Sequence, residues 1–435
     1  MLTGRVLSFA VAVALITPLL ASCSGEPERP LPTGPGIAMT ERGPTGVSVT
    51  FRYYAPDADS VGLIGDAYFT DPDHIASNLA HDARLGDQWR PGDVSHPLVA
   101  QPPAPLTRGA DGVWELTTAM PAGTFSYGFV EGDCDRAAAC AGRYDPSNPP
   151  PFADDQRAGH QRASQIFVPA NPAFDSTDLA YEADARGDLA GLVSHRTYPS
   201  SQTLHPSGEH ALGLYLPAGY DDARAEPYPL LILSHGMLEN ETAWFADGRA
   251  AQILDHAIAA GSIPPVVMVT TDFGGLSEEL PGSARFHDAY VTELVDNVLP
   301  WVEQELHVSH ERHDRAFAGL SMGGALGVGL LEHHPDIFGW YGLWSAAPVP
   351  EGWRVRDAHQ REAIRAALGI HIGVGLHDGI AGISRSSPER AEDYRELGAE
   401  VTELNVPGAH TWQVWRAQLH HFLTTTAFRD WAPAS

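Results

Sequence analysis

The residues best suited to chemistry lie in the stretch RAFAGLSMGGALGVGLLEHHP, residues 315–335. It contains the pattern G-x-S-x-G, in which Ser321 stands between Gly319 and Gly323. The pattern alone is weak, because a chain with 43 glycines would contain it by chance in roughly one case in four. It indicates a nucleophile when the serine follows a buried strand and opens a helix. Apolar RAFAGL precedes Ser321 and the helical pattern GGALGVGLLEHH follows it, so both conditions are met.

A serine hydroxyl is a poor nucleophile unless a base removes its proton, and that base needs an acid to orient it. The best candidate for the base is His410, in the loop PGAH between the last predicted strand and the last predicted helix. This loop lies at the carboxyl edge of the predicted sheet, where such sites assemble. The other histidines after Ser321 fall on predicted helices, a linker or strand ends: His333, His334, His359, His371, His377, His420 and His421.

The orienting acid should follow the strand before the one that leads to His410. Asp378 does so, at the end of IHIGVGLHD. Asp393 and Glu403 fit this position less well, since they lie on a predicted helix and a predicted strand. An aspartate that only stabilises a turn is the alternative for Asp378.

Ester or amide chemistry also needs hydrogen-bond donors for the oxygen that gains charge. The backbone N–H of Met322, directly after the serine, is one predicted donor. The second should come from the loop after LLILSHG, where Met237 is the first choice and Leu238 a close second. Aromatic side chains are candidates for the pocket wall, with core packing as an equal alternative: Trp244, Trp344, Trp412 and Trp415.

Two different hydrophobic patterns along the chain predict the strands and helices that position these residues. Residues 46–170 show alternating strands such as VSVTFRYY, which indicate a small antiparallel sandwich, with 67–108 as a long inserted loop. Residues 171–193 form a polar linker. From 194 to 432, apolar strand-like runs alternate with helical patterns, which predicts a mostly parallel sheet covered by helices on both faces.

Four segments of the chain together carry a specific family resemblance. The segments LILSHGMLENETAWF, RAFAGLSMGG, GLHD and PGAHTWQVWR resemble the α/β-hydrolase esterase family that includes feruloyl esterases, enterochelin-type siderophore esterases and esterase D, and more distantly the mycolyltransferases. The resemblance covers residues 194–431. It implies an α/β-hydrolase fold and ester hydrolysis through Ser321, Asp378 and His410, with no metal or cofactor. One departure matters: small residues commonly follow His-Gly in the oxyanion loop, whereas Met237 and Leu238 follow here.

The N-terminal strands carry a second resemblance. GVW, PAGTFSYGFVEGD and YDPSNPP resemble the immunoglobulin-like sandwich related to family 48 carbohydrate-binding modules. Phe125, Tyr127 and Phe129 alternate along one strand. These rings could form a sugar platform, but we favour packing in the core of the sandwich.

The first 45 residues indicate an export signal followed by a tether. Residues 1–22 combine an early arginine, an apolar run and small residues, as in a secretory signal. LASC resembles a bacterial lipobox, which implies lipidation of Cys23; an ordinary signal with an incidental cysteine is the alternative. Residues 23–45, rich in Pro and Gly, suggest a flexible tether. Lipidation would leave Cys134 and Cys140 as a local pair able to form a disulfide in an oxidising compartment.

The net charge of −28 argues against nucleic acid or an anionic membrane surface as a partner. The esterase resemblance implies a small-molecule or oligosaccharide ester as the substrate, and the lipobox resemblance implies attachment to an extracytoplasmic bacterial membrane by a lipid anchor only. Feruloyl or acetyl-glycan esters and enterochelin-type siderophore esters are both open as substrates. An acyltransferase and a non-catalytic surface binding protein are the alternative functions.

Overall fold

The computed structural model describes residues 34–75, 81–96, 100–158, 163–279, 282–349, 357–380 and 382–429. The predicted signal peptide and Cys23 lie outside these residues. Within the described ranges, no helix is both long enough and apolar enough to span a membrane.

The N-terminal part consists of antiparallel sheets, as the alternation predicts. Val47, Val49, Phe51 and Tyr53 are all buried, while the residues between them are half-buried. Among the described residues, the strands pair in the orders β1-β2-β9-β8, β11-β10-β3-β7 and β5-β4-β6. Their bounds are β1 Gly36–Met39, β2 Val47–Tyr54, β3 Val61–Gly65, β4 Tyr68–Thr70, β5 Arg84–Leu85, β6 Val94–Ser95, β7 Ala104–Pro105, β8 Thr107–Arg108, β9 Val113–Ala119, β10 Gly123–Glu131 and β11 Ser164–Val168.

The two larger sheets face each other across a shared aromatic core. The ring centroids of Phe51 and Tyr127 lie 4.9 Å apart, and those of Tyr53 and Phe129 lie 4.6 Å apart. Phe125, Tyr127 and Phe129 are at most 2% exposed, so these rings form a core and not a sugar platform. The relation to carbohydrate-binding modules remains a prediction.

Two expectations for this part need correction. Gly36–Met39, inside the predicted flexible tether, forms β1 and pairs with β2, because the backbone of an open strand edge is available to it. The predicted inserted loop 67–108 contains β4–β8, three of which form the small sheet β5-β4-β6.

Cys134 and Cys140 are joined by a disulfide, with Cα atoms 6.1 Å apart.

The second part is built on one large sheet. Its order is β12-β13-β15-β14-β16-β17-β18-β19 among the described residues. The six neighbouring strands β15, β14, β16, β17, β18 and β19 pair in parallel. Strands β12 and β13 extend the sheet at the β15 edge with antiparallel pairing. The strands are β12 Leu192–Pro199, β13 Glu209–Leu216, β14 Leu230–Ser234, β15 Val267–Thr271, β16 Arg315–Leu320, β17 Trp340–Trp344, β18 Gly369–Gly375 and β19 Val401–Val406.

Helices cover both faces of this sheet, which confirms the predicted layering. Along β14, Leu230 and Ile232 pack into one core, and Leu231 and Leu233 into the other, because successive strand residues point to opposite faces. The helices α3–α7 pack on the first face, and α1, α2 and α8 on the second. Their bounds are α1 Ala243–Ala246, α2 Ala250–Ala259, α3 Ala284–Glu293, α4 Leu299–Glu305, α5 Met322–His333, α6 Ala358–Ala366, α7 Ile383–Glu396 and α8 Trp412–Thr425.

Arg416 on α8 ties the N-terminal sheets to the second part. Its side chain is fully buried and donates hydrogen bonds to the carbonyl oxygens of Thr124 at 2.6 Å and Asp247 at 2.7 Å. Its Nε lies 3.1 Å from the Glu182 carboxylate, which is also buried. Ser126 of β10 donates a further hydrogen bond to the Asp247 side chain at 2.9 Å. These contacts hold the N-terminal sheets against α8 and the end of α1.

Replacing Arg416 by methionine is expected to destabilise the protein by about 3–5 kcal/mol, because the change leaves the buried Glu182 charge without its cation. Urea denaturation would measure the free energy of unfolding. The matched control is Arg395→Met, which breaks a more exposed ion pair with Glu403 at 2.9 Å and should cost less than about 1 kcal/mol. Equal losses in the two variants would show that Arg416 does not anchor the junction.

Candidate active site

Ser321 stands on a sharp turn between β16 and α5. Its φ of 52° and ψ of −112° are a rare combination for a residue with a side chain. Three backbone hydrogen bonds hold it there: its N–H donates to the Trp344 carbonyl at 2.9 Å, its own carbonyl accepts from Ala347 at 2.9 Å, and the Gly323 N–H donates to the His235 carbonyl at 3.1 Å. Such a conformation persists only where the surroundings enforce it, and it typically marks a functional site.

The two glycines of the motif make this turn possible. A Cβ atom on Gly319 would lie 2.5 Å from the carbonyl carbon of Gly323. A Cβ atom on Gly323 would lie 2.5 Å from the carbonyl oxygen of Ser234. Both distances are shorter than van der Waals contact with backbone atoms, so strand and helix can approach this closely only without side chains at these positions.

His410 and Asp378 form a short hydrogen bond. His410 Nδ1 lies 2.7 Å from Asp378 Oδ2, and the Asp378 side chain is completely buried. The backbone N–H of Ile380 donates to the other carboxylate oxygen, Oδ1, at 3.0 Å. The Trp415 ring stands perpendicular to the imidazole, with centroids 4.9 Å apart. An ionised carboxylate at this place fixes the proton on Nδ1, which leaves Nε2 as the acceptor.

Ser321 and His410 line the same cavity, which has a volume of about 690 Å³. The remaining lining residues come mainly from the loop after β14, from the start of α5 and α8, and from the turn before α7. The predicted oxyanion residues are all among them: Met322, Met237 and Leu238. A volume of this order accommodates a small organic ligand.

The oxyanion candidates differ in their surroundings. The N–H of Met322 opens α5 and therefore has no acceptor within the helix, where the helix dipole also favours negative charge. Met237 is 48% exposed and Leu238 is 98% exposed with a φ of 70°. Both line the cavity, so both stay candidates for the second donor.

The family model described as "Putative esterase" matches residues 204–426. The chain belongs to this esterase family. The family places the chain among carboxylic ester hydrolases.

Two curated relatives of this esterase family member carry xylanase names. The endo-1,4-beta-xylanase/feruloyl esterase of Xylanibacter ruminicola is 31% identical over 252 residues, which are 56% of this chain and 32% of that protein. Endo-1,4-beta-xylanase Y of Acetivibrio thermocellus is 34% identical over 146 residues, 31% of this chain and 12% of that protein. The chain thus spans a third or less of the length of these relatives.

Solved structures share the esterase fold. The enterobactin esterase of Shigella flexneri superposes with a TM-score of 0.54 at 18% identity, covering 90% of this chain and 96% of that one. The ferulic acid esterase of Anaeromyces mucronatus gives 0.50 at 20% identity, covering 58% of this chain and 96% of that one. The match to the enterobactin esterase therefore extends over the N-terminal sheets as well as the large sheet.

The four tryptophans predicted as candidates for the pocket wall of this esterase occupy two different environments. Trp412 and Trp415 line the cavity. Trp244 and Trp344 are at most 1% exposed and belong to the core on one face of the large sheet, so the prediction that they line the pocket is wrong. Their indole N–H groups donate to the Ser234 carbonyl and to the His371 ring, since a buried indole needs an acceptor.

The cavity is also lined by two carboxyl groups that no sequence motif indicated, those of Asp66 and Glu239. Burial raises the pKa of Asp66 to about 6, opposed by the Ser126 N–H and by Arg416. Burial likewise raises the pKa of Glu239 to about 7, opposed by a neighbouring imidazole and by a backbone N–H. Glu239 could have been noticed as an acid in a loop that usually carries small residues. Asp66 gave no such signal, because it lies 255 positions before Ser321.

Proposed function

We propose that the chain is an exported serine carboxylic-ester hydrolase acting through Ser321, His410 and Asp378. The observation that carries the proposal is that Ser321, on its strained turn, lines the same cavity as the histidine that is hydrogen-bonded to buried Asp378. Membership of the esterase family supports the same reaction.

In the proposed mechanism, His410 Nε2 takes the Ser321 proton as Oγ attacks the ester carbonyl. The Met322 N–H, with Met237 or Leu238, stabilises the oxyanion. The C–O bond to the alcohol breaks as His410 returns the proton to the leaving oxygen, and an acyl-enzyme remains. Water, deprotonated by His410, then attacks the acyl-enzyme, and the acid leaves as Ser321 regains its proton.

The proposed substrates are feruloyl or acetyl-glycan esters, or enterochelin-type siderophore esters. The first class is supported by a relative named as a xylanase/feruloyl esterase, at 31% identity. The second is supported by the extent of the match to the enterobactin esterase, which includes the N-terminal sheets.

We also propose export and lipid attachment at Cys23, in an extracytoplasmic location. The sequence LASC and the preceding apolar run support this proposal. The Cys134–Cys140 disulfide supports an oxidising compartment.

The function is tested with a fluorophosphonate probe, which reacts with activated serines, followed by peptide mass spectrometry. We expect label on Ser321 that disappears in Ser321→Ala and in His410→Ala. The same protein is then assayed on methyl ferulate, an acetylated xylo-oligosaccharide and a catechol-serine lactone, with acid release as the readout. A folded protein that is not labelled and releases no acid would contradict the proposal; release of acyl groups only onto added sugar would indicate an acyltransferase.

A further inference from the structure

Asp66 reaches the catalytic cavity from the N-terminal sheets. It lies in the turn between β3 and β4, yet it lines the same cavity as Ser321 and His410. Its backbone N–H donates to the Ser126 carbonyl at 2.8 Å, and its Oδ2 accepts the Ser126 N–H at 3.0 Å. Ser95 donates to the Asp66 carbonyl at 2.7 Å. The carboxyl group is therefore held firmly in place.

The second carboxylate oxygen of Asp66, Oδ1, has no hydrogen-bond partner among the described residues. The residue is only 6% exposed, and it borders the cavity. Oδ1 is not among the fully buried side-chain atoms that lack a partner, so it is open to the cavity, where a donor on a bound substrate can reach it. The position of Asp66 thus fits a contact to a substrate and not a role in the fold alone.

Glu239 adds a second carboxyl group to the same cavity from the oxyanion loop. Its Oε2 accepts the Gly236 N–H at 2.8 Å. Of the described residues that line the cavity, none is a lysine or an arginine. Arg416 lies near Asp66, but its guanidinium is bonded to two backbone carbonyls and to a buried glutamate at the junction. Asp247, which also faces Asp66, adds further negative charge.

Building on the proposed ester hydrolysis, we propose that Asp66 is a specificity-determining residue: it accepts a hydrogen bond from a hydroxyl or ammonium group of the substrate and, together with Glu239, disfavours esters that carry a negative charge. The substrate class is then a neutral or cationic, hydroxyl-bearing ester. The N-terminal sheets would act in substrate selection by forming part of the catalytic cavity.

The charge of Asp66 and its hydrogen-bonding capacity both favour such a substrate. A fixed carboxylate on the wall of a cavity repels a substrate anion more strongly than it would in bulk water, because the surrounding protein is less polarisable than water. A site built around an acceptor also disfavours an analogue that lacks the matching donor, because the analogue displaces water from the acceptor without replacing its hydrogen bond. We expect each effect to change kcat/KM by roughly 10- to 100-fold.

The test uses two matched series of esters at pH 8, where both carboxyl groups are ionised. One series has hydroxyl, hydrogen or carboxylate at the far end of the acyl group, as in 4-substituted methyl cinnamates. The other has the same substituents on the alcohol, as in 4-substituted benzyl cinnamates. We expect the wild-type protein to prefer hydroxyl over hydrogen over carboxylate in at least one series. The responding series shows which end of the substrate faces Asp66.

Asp66→Asn keeps an acceptor for the Ser126 N–H but removes the charge. We expect it to reduce the preference for hydroxyl over carboxylate about 10-fold, mainly by improving kcat/KM for the carboxylate ester. Glu239→Gln, which leaves the N-terminal sheets untouched, should shift the preference in the same direction. The control is Asp59→Asn, an exposed carboxylate of the same region, which should leave all ratios unchanged.

The outcomes separate the two proposals. Wild-type protein that hydrolyses none of the esters, and whose Ser321 is not labelled, would contradict the proposed function itself. Hydrolysis with the same substrate ratios in wild type, Asp66→Asn and Glu239→Gln would overturn the role of Asp66 while leaving the esterase intact. Thermal denaturation of each variant shows whether a lost activity reflects unfolding. If Asp66→Asn is unfolded, the ratio of kcat/KM values for the hydroxyl and carboxylate esters measured with Glu239→Gln decides whether negative charge in the cavity selects the substrate.

Discussion

Ser321→Ala is expected to lower kcat by about 10⁴- to 10⁶-fold, with little change in KM or in the unfolding temperature. The alanine keeps the backbone turn but removes the oxygen proposed to form the acyl-enzyme. The remaining cavity, His410 and the oxyanion donors can then only assist direct attack by water. Steady-state hydrolysis of a chromogenic ester, with thermal denaturation in parallel, measures both quantities.

The matched control for Ser321→Ala is Ser201→Ala, an exposed serine in the loop after β12. It should retain activity within about 2-fold, as surface substitutions away from functional features usually do. Activity above about one per cent of wild type in Ser321→Ala would exclude a covalent role for this serine.

Asp378→Asn is expected to lower kcat by about 10⁴-fold while leaving the fold intact. The Ile380 N–H donates to Oδ1 of Asp378, so the amide oxygen of asparagine should take that place. Its NH₂ group would then face His410 Nδ1 and donate to it. His410 would carry its proton on Nε2 instead, and it could no longer accept the proton of Ser321.

Asp393→Asn is the control for this substitution, because Asp393 is the alternative aspartate after Ser321 and is exposed on α7. Its kcat should stay within about 2-fold of wild type. Retained activity in Asp378→Asn with loss in Asp393→Asn would reverse the assignment. Measuring kcat and KM separately distinguishes a wrong tautomer, which lowers kcat, from a distorted pocket, which also raises KM.

The local parts of this site could be predicted from the sequence. Ser321 and His410 lie in short segments whose glycines, prolines and apolar runs already specify a turn between a strand and a helix. Because the strands of a parallel sheet end at one edge, chain order alone was enough to place Ser321, Asp378 and His410 in neighbouring loops. The hydrogen bond between His410 and Asp378 agrees with that placement.

The arrangement of helices on both faces of the large sheet was also predictable, since it depends on the local pattern of apolar residues in each strand and helix. The run Leu230–Ser234 is apolar up to its final serine and buried throughout, which is what a strand covered on both faces requires. Strand β1 was not predictable, because GIAM carries no alternation of its own and its order comes from pairing with β2. A short segment without a hydrophobic period acquires structure only from its neighbour.

The division of the tryptophans was decided by the tertiary structure. Four of them were equally suitable as wall residues from the sequence. Packing between α1, α8 and the large sheet buried Trp244 and Trp344 and left Trp412 and Trp415 at the cavity. An indole ring suits either environment, so its residue type alone does not indicate which one it will occupy.

Asp66 shows the same limit for residues that come from a distant part of the chain. It reaches the cavity because Arg416, Ser126 and Asp247 lock the N-terminal sheets against α8. The residues proposed to react could be selected from the sequence alone, because their positions follow from local turns on a regular sheet. The residues proposed to select the substrate depend on contacts between segments far apart in the chain, and no local pattern encodes those contacts.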